Sequence, residues 1–149
     1  MKEIAWLAGF FEGEGSIILS KPTLRGDGRY STGRVLITIS NTDLALLGPF
    51  SSRYGGKVIL HERSRGRGFT HRWSCPGPSE LGFLQDILPH LVGRKREKVG
   101  IALEYLKLMR TPQRSGRTPL TDNEKELRQQ VYNRFYPEGP RSSNKKKLK

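Results

Sequence analysis

Residues 4–16 read "IAWLAGFFEGEGS", and this stretch decides the fold. Ala5, Gly9 and Gly13 recur at intervals of four, which places all three on one face of a helix. Glycine costs about 1 kcal/mol in a helix interior, so a face of small residues indicates that another backbone approaches closely there. We therefore expect a helix that ends near Gly13 and Gly15 and carries a contact surface of small residues.

Four later runs have the alternation of β-strands, and they lie at 16–20, 34–40, 57–63 and 70–75. In the second run Val35, Ile37 and Ile39 alternate with polar residues, and only Leu36 breaks the pattern. The apolar faces of the third and fourth runs are expected to contain Val58, Leu60, His71, Trp73 and Cys75. Each run predicts a strand with one apolar face and one basic or polar face.

Capping residues and apolar spacing predict helices between and after the strands. One helix follows the cap at 41–43, a second begins at 78–80 and a third spans 99–109. A fourth runs from a capping box at 121–124 to about Phe135. The order αββαββα predicts an α+β fold, a four-stranded antiparallel saddle-shaped sheet with helices on the opposite face. We expect one domain over residues 1–136 and a basic, disordered tail over 137–149.

The charge of the chain points to a polyanionic partner. Lys and Arg number 27 against 14 Asp and Glu, a net charge of +13, and residues 17–75 hold ten Lys or Arg against three acids. A basic β-ribbon fits the major groove of B-DNA, which is about 12 Å wide. Sequence-specific RNA modules usually expose aromatic rings, whereas Trp73 falls on the apolar face, which favours duplex DNA. A solvated basic sheet face without a partner is the simpler alternative.

The residues expected to contact DNA have polar or basic side chains on the strands or in the loops that join them. They are Ser20, Lys21, Arg25, Arg29, Thr32, Arg34, Thr38, Lys57, His61, Arg63, Arg65, Arg67, Thr70 and Arg72. The basic tail is expected to add salt-sensitive attraction without sequence specificity.

Other classes of protein are excluded by composition. Cys75 is the only cysteine, so the chain forms neither an internal disulfide nor a cysteine zinc site, and a buried strand position in a reducing compartment is expected. Apolar runs are far shorter than the roughly 20 residues that span a bilayer, and no secretory leader is seen. We expect an intracellular protein, of a bacterial or archaeal cytoplasm or of the organelle that encodes it, whose partners include neither a membrane nor a small-molecule substrate.

The string from Leu7 to Gly15 resembles the signature of the LAGLIDADG homing endonucleases, and Ser16 and Ile17 continue it as in many members. Six of its nine positions match by identity or by exchange of one acid for another, and the predicted order of elements matches the family's fold over residues 1–136. The resemblance implies a sequence-specific, Mg²⁺-dependent endonuclease that makes a double-strand break in DNA. It also implies that the protein is encoded within a mobile intron and cuts the intron-less allele.

The single copy of the motif implies a homodimer with a near-palindromic DNA target, of which each subunit reads one half-site. The expected dimer interface is the helix face of Ala5, Gly9 and Gly13. Residues 12 and 14 are about 200° apart on a continuous helix, so only one glutamate per chain can face DNA. One carboxylate is too few ligands for a metal, so Glu14 and its copy in the second chain are expected to meet near the two-fold axis.

By the resemblance, Glu14 ligates the metal and the carbonyl of Gly13 helps to coordinate it, while Glu12 has a structural role near the helix end. Phosphodiester hydrolysis needs a divalent cation, and hard oxygen ligands suit Mg²⁺, for which Mn²⁺ is expected to substitute. Many members have aspartate at the position of Glu14. Glutamate reaches one methylene farther, so a different metal spacing with retained activity is expected.

The resemblance also places a polar residue and a lysine around the attacking water, and the matching residues are Asn41 and Lys95. Asn41 can instead cap a helix, and a shift of register would replace Lys95 by Arg94, Arg96 or Lys98. Two other functions use the same scaffold, an intron RNA maturase and a catalytically silent DNA-binding protein. The presence of an acidic ligand together with a basic candidate argues against the silent protein.

Overall fold

The structure is a computed structural model and describes residues 2–24, 30–31, 33–109 and 120–139. Three of the expected DNA contacts, Arg25, Arg29 and Thr32, lie outside these residues, as does the tail from residue 140. Within the described ranges, no helix combines the length and the apolar character that a membrane crossing requires.

The first helix, α1 (Ile4–Glu14), forms where the small-residue motif predicts it and leads directly into strand β1 (Gly15–Leu19). Leu7, Ala8 and Phe11 are fully buried and anchor α1 to the core. The opposite face of the helix holds the small residues and is exposed. The start of the sheet is therefore fixed relative to the end of α1.

The junction between α1 and β1 depends on the absence of a side chain at Gly15. A Cβ at this position would overlap the ring of Phe11 and lie 2.6 Å from the Phe11 carbonyl oxygen. The N–H of Gly15 donates to that same carbonyl as the helix ends. Glu14, the last residue of α1, is therefore held at the start of the sheet by close packing of backbone against Phe11.

The described residues contain six strands in two sheets. They are β1 (Gly15–Leu19), β2 (Thr23–Leu24), β3 (Tyr30–Ser31), β4 (Val35–Asn41), β5 (Val58–Glu62) and β6 (Phe69–Ser74). The four longer strands form one antiparallel sheet in the order β1-β4-β6-β5, which confirms the predicted four-stranded sheet. β2 and β3 pair separately within the connection from β1 to β4, and this small ladder was not predicted.

The other helices follow the predicted order. They are α2 (Gly48–Tyr54), α3 (Gly77–Ile87), α4 (Arg94–Met109) and α5 (Asp122–Phe135), with 3-10 turns at Leu44–Leu46, Ser64–Gly66 and Leu88–His90. Thr121 and Glu124 form the predicted capping box at the start of α5. The helix predicted after the cap at 41–43 begins instead with a 3-10 turn. α4 starts five residues before Val99, the first residue of the predicted helix. The prediction missed this first turn because it is polar and lacks the apolar periodicity that indicates a helix.

The core lies between one face of the four-stranded sheet and the helices. Its sheet residues include Ile17, Leu19, Val35, Ile37, Ile39 and Trp73, and its helical residues include Leu7, Phe11, Phe50, Phe83, Leu103 and Phe135. Trp73 is fully buried, and its indole N–H donates to the carbonyl of Gly55 at 2.8 Å. Cys75 is buried as predicted, and burial raises the pKa of its thiol to about 12, so the thiol stays protonated.

Leu60 lies on the same face of β5 as Val58, as predicted, but the core does not cover it. Its side chain is 62% exposed, and Phe69, on the same face of the β5–β6 hairpin, is 60% exposed. Trp73 pairs with Val58 in a row that the core covers, whereas the rows of Leu60 and Phe69 lie farther out along the hairpin. Alternation assigns a residue to a face of its strand, but it does not show how far along the strand the helices extend.

Gly15→Ala is expected to destabilise the chain, because the added methyl group collides with the ring and the backbone of Phe11. Such overpacking usually lowers the free energy of unfolding by about 1–3 kcal/mol, which urea denaturation measures. Gly82→Ala is the matched control. Gly82 lies in α3 with nothing within 4 Å of an added Cβ, so alanine should raise stability there by about 0.5–1 kcal/mol. Equal effects of the two substitutions would contradict the close approach at Gly15.

Candidate nucleic-acid interface and active site

The two glutamates of the α1 motif point in different directions. Glu14 is exposed where α1 meets β1. Glu12 turns toward the loop before α4, where its Oε1 accepts hydrogen bonds from Val92 N at 3.0 Å and from Gly93 N at 2.5 Å. Glu12 therefore has the structural role near the helix end that the sequence predicts, and Glu14 is left exposed.

Lys95, in the first turn of α4, binds the end of α1. Its Nζ donates to the carbonyl oxygens of Phe11 at 3.0 Å and Glu12 at 2.6 Å, and it lies 5.6 Å from the centroid of the Phe11 ring. The last carbonyls of a helix have no partner within the helix, so a lysine there satisfies them and complements the helix dipole. We call the hydrogen bonds of Glu12 to residues 92–93, together with those of Lys95 to α1, the α1–α4 clasp.

Charge and burial at the clasp shift two pKa values. Hydrogen bonds from the N–H groups of Gly93 and Val92 lower the pKa of the Glu12 carboxyl, and the charge of Lys95 acts in the same direction. Burial lowers the pKa of the Lys95 ammonium, while Glu12 and Glu14 oppose this effect. Lys95 is therefore both half-buried and within electrostatic reach of the Glu14 carboxylate.

The other basic candidates at the start of α4 lie elsewhere. Arg94 and Lys98 line a groove between β1 and the end of α5, and the Nζ of Lys98 lies 5.1 Å from the centroid of the Phe135 ring. Arg96 is exposed. Of the four residues that the sequence left open, Lys95 has the geometry that fits a cation beside Glu14.

Asn41 ends β4 and holds the turn that follows. Its Oδ1 accepts a hydrogen bond from Asp43 N at 2.8 Å, and Asp43 Oδ1 accepts one from Ala45 N at 3.0 Å at the start of the 3-10 turn. The cap of the 3-10 turn is therefore Asp43, and Asn41 stabilises the turn before it rather than capping a helix as the alternative proposed. The contact of Asn41 with the attacking water stays a prediction.

The face of the four-stranded sheet away from the core, which we call the open face, is ordered in cross-strand rows. Its residues are Ser16, Ile18, Leu36, Thr38, Ser40, Ile59, His61, Thr70, Arg72 and Ser74. One row pairs Ser16 with Thr38 and Thr38 with Ser74. In the next row the Nε of Arg72 donates to Ser40 Oγ at 3.3 Å, which fixes its guanidinium over the sheet.

The expected DNA contacts within the described residues fall into three places. Thr38, His61 and Arg72 lie on the open face, Ser20, Lys21, Arg34 and Lys57 lie at strand ends, and Arg63, Arg65 and Arg67 lie in the β5–β6 connection. Ser20 Oγ accepts a hydrogen bond from Arg34 N at 2.6 Å, so this hydroxyl also stabilises the start of the β1–β4 connection. Arg65 has φ 64°, a left-handed conformation that bends the connection sharply.

Thr70 is the one described member of that set that the structure does not support. It belongs to the open face by register, but its side chain is only 6% exposed. The sequence had no signal for this burial, since a threonine that alternates with basic residues has the pattern of a surface position. Conversely, Ile18, Leu36 and Ile59 lie on the open face and were not among the expected contacts.

The small-residue stripe of α1 (Ala5, Gly9, Gly13) is exposed. A Cβ added at Gly9 or Gly13 would have nothing within 4 Å, so packing within this chain does not require glycine at either position. The rings of Trp6 and Phe10 stack beside the stripe, 5.2 Å apart, and are partly buried. The described residues therefore give no packing reason for glycine at these two positions, and the dimer interface at this stripe stays a prediction.

The acidic residues of the chain are spread out. The described residues contain no group of three or more His, Cys, Asp or Glu that could hold a metal ion. Glu14 nevertheless offers an exposed carboxylate, and the carbonyl of Gly13 follows directly on those that Lys95 binds. Both are hard oxygen donors of the kind that Mg²⁺ prefers, and their binding of a metal ion stays a prediction.

The sequence matches neither a protein-family model nor a curated protein. Its structure is similar to solved LAGLIDADG homing endonucleases. I-CvuI in complex with a DNA target in 2 mM Mg aligns over 87% of this chain and 94% of its own, with TM-score 0.55 and 21% identity. The archaeal intron-encoded endonuclease I-Vdi141I, complexed with DNA, aligns over 95% and 87%, with TM-score 0.68 and 14% identity.

A third endonuclease, I-TnaI, aligns over 91% of this chain and 88% of its own, with TM-score 0.59 and 14% identity. I-GzeII aligns over 91% of this chain but only 44% of its own, with TM-score 0.63, so this chain spans about half of that protein. The fold of this chain is that of the LAGLIDADG homing endonucleases, as the motif predicts.

Glu12→Gln is expected to lower stability at neutral pH, because a neutral amide accepts weaker hydrogen bonds from Val92 and Gly93 than a carboxylate does. The folded-state pKa of Glu12 lies below its ordinary value of 4.5. Its stabilising effect is therefore complete above that value and is lost as the pH falls through the folded-state pKa. Urea denaturation at about pH 7 and about pH 3 should show that the gap between wild type and variant narrows in acid.

Glu14→Gln is the control for that experiment, since Glu14 is exposed two residues farther along the same helix. It should not lower the free energy of unfolding at neutral pH. A gap between wild type and Glu12→Gln that is the same at both pH values would contradict the role of the Glu12 carboxylate.

Proposed function

We propose that this chain, which has the fold of the LAGLIDADG homing endonucleases, is a sequence-specific endonuclease that makes double-strand breaks in DNA by metal-dependent hydrolysis. The observation that carries the proposal is the position of Glu14. Its exposed carboxylate lies at the α1–β1 junction, beside a clasped Lys95 and at the start of the open face. We also propose that the gene for this protein lies within a mobile intron.

The chemistry of the open face supports binding in the major groove. Arg72, Thr38 and Ser40 present a guanidinium and two hydroxyls on a rigid sheet, where Arg can pair with guanine and hydroxyls can adapt to neighbouring bases. The arginines at 63, 65 and 67 are exposed at the end of the hairpin, where phosphates would lie. The I-Vdi141I and I-CvuI structures are themselves complexes with DNA.

The proposed enzyme is a homodimer on a near-palindromic target. Two copies of α1 packed through the exposed stripe of Ala5, Gly9 and Gly13 would bring two Glu14 carboxylates together, and each open face would take one half-site. This arrangement supplies the second carboxylate that one chain lacks. It also accounts for small residues that packing within the chain does not require.

Glu14 and the carbonyl of Gly13 would hold the metal, and Mg²⁺ supplies a Lewis acid that makes a bound water acidic and neutralises charge on the phosphate. Lys95 adds a fixed positive charge near Glu14, which stabilises an anionic phosphate. The clasp holds Lys95 and the end of α1 together, so the Lys95 ammonium and the backbone of Glu14 keep one relative position. We propose that Mn²⁺ can replace Mg²⁺ and that the basic tail, residues 141–149, adds salt-sensitive affinity.

Glu14→Gln should abolish cleavage, with a loss of at least about 100-fold, and leave DNA affinity within about twofold, because it removes the metal-binding charge and leaves the open face intact. The target is first obtained by selection from a random duplex library, and cleavage and binding are then measured with Mg²⁺. Glu3→Gln, at the other end of α1, is the control that should cleave normally. Metal-dependent cleavage by Glu14→Gln would place the active site elsewhere.

Gly9→Leu should prevent dimer formation, because a Cβ at Gly9 meets nothing within 4 Å in the described chain, whereas a leucine side chain would separate two helices that meet at the stripe. Sedimentation should give the 16.9 kDa monomer, and double-strand cleavage should be lost even when DNA is saturated. Gly82→Leu in α3 also has an unobstructed Cβ and should remain an active dimer. A wild type that sediments as a monomer both free and on DNA would refute the shared site.

These experiments also separate the other functions of the scaffold. A silent DNA-binding protein would bind the selected duplex without cutting it in Mg²⁺. A maturase would act on its intron RNA and show no cleavage of that duplex.

A further inference from the structure

Three large apolar side chains lie on the otherwise polar open face. Ile18 is 44% exposed, Leu36 is 48% exposed and Ile59 is 52% exposed. Their neighbours on this face are serines, threonines, a histidine and an arginine. The core is on the other side of the same strands, so packing within the described chain does not explain these three residues.

Their positions are set by the register of the sheet. Ile18 of β1 is directly opposite Leu36 of β4, so the two side chains form one apolar spot. Ile59 of β5 is opposite Arg72 of β6, at the far side of the sheet. Side chains on paired strands are held more rigidly than side chains on loops, which suits a role in discrimination.

The occupant of the open face is argued from its other residues. Two separate apolar positions between hydroxyls and a guanidinium do not form the continuous apolar patch that a protein partner usually needs. The chain has a net charge of +13, which favours a polyanion. In the major groove the base edges present donors, acceptors and a single kind of apolar group, the C5-methyl of thymine.

Building on the proposed function, we infer that Ile18, Leu36 and Ile59 select thymine in each half-site by contact with its methyl group. Leu36 and Ser40 are four residues apart on β4, about 13 Å, which is close to four base-pair steps of about 3.4 Å. Ser40 lies in the row of Arg72 and Ile59. Two thymine preferences about four base pairs apart are expected, the second next to a guanine read by Arg72.

The test replaces thymine by deoxyuridine, one position at a time, in the duplex selected by wild-type protein. Deoxyuridine keeps the base pair and removes only the methyl group. We expect affinity to fall about fourfold at the contacted positions, the effect of one buried methyl group, and to stay unchanged at other thymines. Cytosine at the same positions should bind more weakly, and 5-methylcytosine should recover part of that loss.

The matched variants assign each contact. Leu36→Ser should weaken the preference for thymine over deoxyuridine at the position that Leu36 shares with Ile18 and should keep the wild-type preference at the Ile59 position. Ile59→Ser should abolish the preference at its own position and leave the other unchanged. Leu44→Ser is the control, since Leu44 is 51% exposed but lies in the 3-10 turn off the open face. Its methyl preferences should equal those of the wild type. Thermal unfolding of each variant checks that the fold is retained.

The outcomes separate this inference from the function on which it rests. If the wild type cuts a selected duplex but every deoxyuridine substitution changes its affinity by less than about 1.5-fold, methyl recognition is refuted and the proposed endonuclease function is not. A preference that persists unchanged in both Leu36→Ser and Ile59→Ser also overturns it. A chain that selects no duplex, or that never cleaves one, overturns the proposed function and the inference with it.

Discussion

The position of the Glu14 carboxylate depends on how the end of α1 is held. Glu12 accepts two backbone hydrogen bonds from the loop before α4, and Lys95 donates two back to the last turn of α1. Phe11 packs against Gly15 at the same place. An exposed carboxylate has many rotamers and little intrinsic order, so its usefulness depends on the rigidity of the backbone that carries it.

Of the two acids in the motif, the clasp contains Glu12 and leaves Glu14 exposed. A carboxylate oxygen that already accepts two backbone hydrogen bonds has less capacity left for an external ligand. The helical angle between residues 12 and 14 leaves Glu14 exposed, outside the clasp and at the place of the proposed metal site. Backbone hydrogen bonds from Gly93 and Val92 lower the pKa of Glu12, with a smaller effect from Lys95, and both Glu12 and Glu14 favour the charged form of Lys95.

The open face and the small-residue stripe both expose residues that packing within the described chain does not require. The sheet presents polar rows with isolated apolar residues, and α1 presents glycines that the chain does not need for its own packing. Glycine in the interior of a helix lowers stability, and an exposed isoleucine adds none. The stability of an isolated monomer therefore does not explain either feature. Both are accounted for if a second chain and a DNA groove cover them.

The sequence by itself determined the periodicities and the motif. It predicted α1, the four longer strands, the burial of Val35, Ile37 and Ile39, and the divergence of Glu12 and Glu14, because each follows from helical or strand geometry over a few residues. Only the tertiary structure decided where the helices cover the sheet, which left Leu60 exposed, and only the tertiary structure showed that Thr70 is buried on the opposite face. It also selected Lys95 among four basic neighbours, because the hydrogen bonds between α1 and α4 join residues more than 80 positions apart, a separation that no local pattern encodes.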